Sequence, residues 1–130
     1  MSGLGPPQFP KTVSGAFFGD PLVARVASAA GLNATLIKAS AAVVNSIWVF
    51  NTATGARYFK FYDKGAPPTV GTDIPLFTVP IAAGSVSPVP IDGAGVPFYN
   101  GLAYAITGGV ADTDTTPINA NDVHGFLVYS

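Results

Sequence analysis

The chain has 130 residues, of which 48% are hydrophobic and only 10% charged, and its formal net charge is −1. That length fits one domain with a real core, and the composition excludes disorder driven by high charge and low hydrophobicity. No basic stripe is available to neutralise a phosphate backbone and no apolar run reaches membrane-spanning length, so neither nucleic acid nor a membrane is an expected partner. Cysteine is absent, which removes disulfides and thiolate metal sites together. A surface this short of ions loses little solvation when another protein covers it, which hints at assembly.

Residues 1–32 read as an N-terminal arm, distinct from a β-sandwich domain over residues 33–130. Met1 to Pro7 lacks the basic start and apolar block of a signal peptide, so the product is expected to accumulate in the cytoplasm of the cell that makes it. Pro6, Pro7 and Pro10 remove backbone donors and favour extended geometry. From Pro21 to Gly31 a short helix, with Asp20 as its N-cap, Pro21 in its first turn and Gly31 at its end, competes with an extended arm ordered on a neighbouring subunit.

From Ala34 onward the pattern is that of strands. Thr35–Ser40 is a short candidate, and Val43–Phe50 carries β-branched and aromatic residues on both parities. Asn51–Gly55 supplies a turn, and Ala56–Tyr62 returns as the second strand of an expected hairpin. Within it Arg57, Phe59 and Phe61 share one face, while Tyr58, Lys60 and Tyr62 share the other. Phe59, Phe61 and Trp48 are expected in the core, and Tyr58 and Tyr62 on a wetter face or under a partner.

Asp63–Thr72 is a turn-rich connection. Ile74–Ile81 is strand-like, with prolines that favour an edge position or strand ends. The parity of Val86 against Val89 and Ile91 predicts a bend or bulge. Val96–Ile106 holds one longer strand or two short ones, with Gly101, Ala103 and Ala105 alternating against Leu102, Tyr104 and Ile106. A polar excursion runs from Gly108 to Asn121, and Asp122–Tyr129 forms a terminal strand. Short strands between Gly, Pro, Asp and Asn turns give an all-β fold, an antiparallel sandwich. A jelly roll is preferred, with an immunoglobulin-like sandwich as its rival and an extended or partly helical arm in front.

The sequence offers little chemistry. His124 is the one histidine and sits in a strand, where a surface, core-edge or subunit-contact role outweighs a general base. No nucleophile elbow or zinc-binding His pair is present. The oxygen-rich Asp112–Asp122 looks calcium-like, but Pro117 and Val123 stand where an EF-hand loop needs Gly and Glu, so turn capping is the better account. The glycines fit no phosphate-loop frame. No catalytic residue, metal site or cofactor is expected, and the chain is read as non-enzymatic. Candidate protein contacts are Pro6, Pro7, Phe9, Pro10, Phe17 and Phe18 in the arm, with Tyr58 and Tyr62 in the sandwich.

The segments Val49–Thr52 with Ala56–Lys64, Ala66–Pro75, Gly101–Gly109, and Asp112–Thr116 with Gly125–Tyr129 together resemble small structural proteins of tailed bacteriophages. The resemblance covers about residues 34–130 and leaves the arm unmatched. It implies a virion module of jelly-roll type, used in capsid decoration, head fibres or tail parts. The expected function is a capsid decoration (cement) protein, bound to the major capsid protein or other virion proteins as a symmetric homo-oligomer, a trimer being favoured. The alternative is a tail or fibre receptor-recognition module whose aromatics stack on host surface glycans.

Overall fold

A computed structural model describes residues 20–91 and 93–130. Nine strands follow one another: β1 (Leu22–Ala27), β2 (Thr35–Lys38), β3 (Ala42–Asn51), β4 (Arg57–Asp63), β5 (Phe77–Ile81), β6 (Val86–Pro90), β7 (Val96–Phe98), β8 (Leu102–Thr107) and β9 (Val123–Tyr129). Two antiparallel sheets result, one ordered β1-β9-β3-β6 with β7 also on β3, the other ordered β2-β8-β4-β5.

The fold is a jelly roll, and the pairing shows why. β6 and β7 lie along the same edge of β3, with Pro90 opposite Ser46 and Val96 opposite Val44. They act as one edge strand interrupted between Pro90 and Val96, where Gly93 and Gly95 take positive φ. Counted so, the strands nest: β4 pairs β5, β3 pairs β6 and β7, β2 pairs β8, and β1 pairs β9. Two further ladders, β9 with β3 and β4 with β8, join the nested pairs into two sheets.

Side chains from the two facing surfaces fill the interior. Val26, Val44, Ile47, Val49 and Leu127 come from one sheet, and Phe59, Phe61, Val79, Ile81, Leu102, Tyr104 and Ile106 from the other. Phe59 and Phe61 are fully buried, as their parity predicts. Their rings stack at 4.4 Å, Tyr104 meets Phe59 edge-on at 5.0 Å, and Phe77 stacks on Phe61 at 4.9 Å.

Three expectations are corrected. β3 and β4 do not form a hairpin: they belong to different sheets, and residues 52–56 carry the chain across the end of the sandwich. The side chain of Asn51 makes that crossing. Buried completely, it donates to the carbonyls of Gly55 (3.0 Å) and Ile81 (2.9 Å) and accepts from the Ala53 N–H (2.8 Å). The turn chemistry read as a hairpin is that of an arch.

Second, the helix considered over Pro21–Gly31 is a strand. β1 pairs residue for residue with β9, from Leu22 opposite Tyr129 to Ala27 opposite His124. The segment assigned to an arm ending at residue 32 thus includes an edge strand of the sandwich. The glycine predicted to stop a helix has φ of +123° and bridges Ile118 instead. Third, Val86–Pro90 pairs with β3 in unbroken register, and the irregularity is the loop after it.

Other expectations hold. β5 lies at a sheet edge, where Pro80 costs no ladder bond on its open side, and the terminal strand is central. Val96–Ile106 divides into two short strands, one in each sheet. Asp63 fixes the crossing between them: its carboxylate accepts from the N–H groups of Tyr99 (3.1 Å), Asn100 (2.7 Å) and Gly101 (3.4 Å).

Two predictions follow from these ties. Asn51→Leu leaves three backbone groups without their partner, the carbonyl of Ile81 among them in a buried bond, and costs about 1–3 kcal/mol, read as a lower urea midpoint at unchanged slope. The second concerns acid. Burial pushes the carboxyls of Asp63 and Asp114 up, but hydrogen bonds outweigh it and hold both below the usual carboxylate range. For Asp63 the donors are the N–H groups of Asn100, Tyr99 and Gly101; for Asp114 they are Thr116 and the Gly109 N–H, aided by the charge of Lys60. Depressed folded values mean stability that is present above the unfolded carboxylate value of about 4 and lost as pH falls through the folded ones. Thermal midpoints should therefore drop below about pH 4, and Asp63→Asn should make that decline shallower.

Candidate protein-contact surface

A two-layer sandwich has two outward faces, and this chain treats them differently. On the four-stranded sheet, Tyr58, Lys60 and Tyr62 point outward from β4, and Ala103, Ala105 and Thr107 from β8. Lys60 and Tyr62 are nonetheless at most 1% exposed, and the three β8 residues are fully buried. The protein's own loops roof this face. Val70 and Leu36 pack on Tyr62, Ala103 and Ala105. The Lys60 amine donates to the carbonyl of Ala111, and Lys64 pairs with Asp73.

The roof sets the electrostatics beneath it. Burial pushes the Lys60 amine down, opposed in part by Asp114 and Asp112. Burial, then the charges of Asp73 and Asp112, push the Tyr62 phenol up. The calcium-like segment serves this roof as turn chemistry: Asp114 accepts from the N–H groups of Gly109 (2.9 Å) and Thr116 (3.0 Å) and from the Thr116 hydroxyl (2.9 Å). Among the described residues no group of three or more His, Cys, Asp or Glu is placed to hold a metal ion.

Among the described residues, nothing roofs the opposite face, on the five-stranded sheet. Register places its outward side chains in rows across the strands. One row runs Ala27, His124, Phe50, Val86; the next runs Arg25, Phe126, Trp48; a third runs Val23, Val128, Ser46. Trp48 is 49% exposed, Val86 49%, Val23 69%, and Phe50 and Phe126 39% each. The imidazole of His124 stacks on Phe50, with planes 8° apart and centroids at 6.2 Å.

Between these side chains lies a shallow cleft of about 220 Å³, lined by Trp48, Val49, Phe50, Val86, His124, Gly125 and Phe126. Gly125 is needed there. Its φ is +150°, and a Cβ would collide with the Trp48 carbonyl, so only glycine lets β9 lie this close to β3. A second hollow of about 390 Å³ lies at one end of the sandwich beside Lys38, Phe98 and Tyr99.

The sandwich contacts expected from sequence fare unevenly. Tyr62 is buried under the loops and presents no contact surface, and Tyr58 is only half-buried. Pro6, Pro7, Phe9, Pro10, Phe17 and Phe18 lie outside the described residues. Trp48, expected in the core, belongs to the open face because Ile47, Val49 and Asn51 take the inward positions. Sequence reasoning missed the Trp48, Phe50, Phe126 surface. Its one signal was the apolar residues on both parities of Val43–Phe50, of which Trp48 was expected in the core. Comparison with protein-family models, curated proteins and solved structures gave no match.

An open aromatic contributes little to the fold itself. Trp48→Ser should cost at most about 1 kcal/mol, against about 3–5 kcal/mol for Phe59→Ala in the interior. Urea denaturation of the two variants measures the contrast.

Proposed function

We propose that this chain is a structural protein of a tailed-phage virion, a capsid decoration protein that stabilises the head through protein–protein contacts. One observation carries the reading: the sandwich leaves an aromatic face uncovered while it roofs the opposite face with its own loops. Contiguous apolar surface of this kind is costly in water and marks contact with another protein. Trp and Phe are also among the residues enriched where interfaces bury their cores, and charged side chains are scarce there. Arg25 is the one Lys, Arg, Asp or Glu side chain in the rows described above. The resemblance of residues 34–130 to small phage structural proteins supplies the virion context, and the jelly-roll fold is consistent with it.

A glycan-binding module on a tail or fibre draws support from the same open Trp48. Sugars, however, need several fixed polar partners beside the stacking ring. In the cleft His124 is the only polar side chain beside the Trp48 indole, so an apolar protein segment suits it better.

Fractionation of virions into heads and tails tests the reading. The protein should travel with purified heads, and the Trp48→Ser/Phe126→Ser double variant should lose that association while remaining folded. Recovery with tails and absence from heads would overturn it.

A further inference from the structure

Resting on the reading of the open face as an assembly contact, we infer that its occupant is the segment before β1 of a neighbouring copy, with Phe17 or Phe18 seated in the cleft beside Trp48. The cleft has the chemistry and size for this. An apolar cavity of about 150 Å³ suffices for a benzene ring, so the 220 Å³ between Trp48, Val86 and Phe126 takes a phenyl group. Residues 1–19 carry three of the chain's nine phenylalanines, Phe9, Phe17 and Phe18, and a single charged side chain, Lys11. An almost uncharged segment brings few ions to desolvate onto a face whose rows are mostly apolar. Adjacent phenylalanines also point to opposite sides of an extended chain, so one of the pair meets the surface in either orientation.

Reach decides between the chain's own face and a neighbour's. The described chain begins at Asp20, at the outer edge of the sheet that carries the cleft, with Leu22 opposite Tyr129. The cleft lies farther along, level with Arg25 to Ala27, which pair with Phe126 to His124. To approach it from the same copy, the chain must first reverse direction before Leu22. Even the tightest two-residue reversal, at Asp20 and Pro21, brings Phe18 level only with Val23 and Phe17 only with Ala24. Both would also lie beside the edge strand, not over the sheet. A neighbour's segment meets no such limit. Each copy then gives a segment to the next and receives one, a head-to-tail contact that forms a ring when the rotation between copies closes.

The absence of cysteine makes the test clean. In the full chain, Phe18→Cys is combined with Val86→Cys, since Val86 stands at the rim of the cleft and is half exposed. Oxidised under mild conditions, this double variant should run as a covalent multimer whose mass counts the subunits. An equimolar mixture of the two single variants should give disulfide-linked dimers, and neither single variant alone should do so. Trp48→Ser in the same background should reduce the cross-linked yield at least tenfold. A double variant that cross-links only within single chains would overturn the exchange between copies, and no cross-link in either sample would overturn this occupant. Retained association with heads in those cases would leave the capsid reading standing; loss of head association with intact cross-linking would sink that reading and spare the exchange.

Discussion

Two stacked sheets can bury only their facing sides against each other, and everything else about this molecule follows from how it disposes of the other two. One outer face is closed from within by the loops around residues 64–73 and 108–116. They bring enough cover to bury a lysine and a tyrosine on the outward side of β4. The other, among the described residues, is left with a tryptophan and two phenylalanines exposed. A chain with so few ionised groups has little else with which to keep such a face soluble. The asymmetry, more than any single residue, gives the protein its functional direction.

Several polar side chains act as structural ties where the chain changes sheet. Asn51 holds the passage from β3 to β4, and Asp63 holds the passage from β7 to β8. Arg57, at the start of β4, meets Asp122, just before β9, at 3.0 Å and so links the two layers. Each tie satisfies backbone or side-chain groups that would otherwise have no partner within the fold. The few ionisable residues are thus largely committed to architecture.

Much of this was legible in the residues. Two-residue alternation and Gly/Pro punctuation gave the strand class, the edge position of β5 and the inward Phe59 and Phe61. What alternation could not reveal was which strands share a sheet. Asn51–Gly55 looks the same locally whether it closes a hairpin or crosses the sandwich, because the difference lies in a hydrogen bond to Ile81, thirty residues away. The bulge between Val44 and Ser46 also shifts the parity of β3 midway, so apolar residues fall on both phases. A size-based guess then puts Trp48 inside. For β1, the capping signals were real, but pairing with β9 outweighed them, as tertiary context commonly does for weak helical propensity. The site was less legible than the fold, since an aromatic that faces solvent and one that faces the core have the same letter.

The nested pairing has a kinetic consequence. Contacts grow steadily more distant in sequence from β4–β5 outward to β1–β9, which joins residues near opposite ends of the described chain. Closing the outermost pair first would demand a single very long loop. When the inner pairs are already formed, each further step closes only the short connection to its neighbour, and the entropy lost at each stage stays small. The topology therefore favours a chain that zips from its middle toward both ends, with β1 and β9 arriving last.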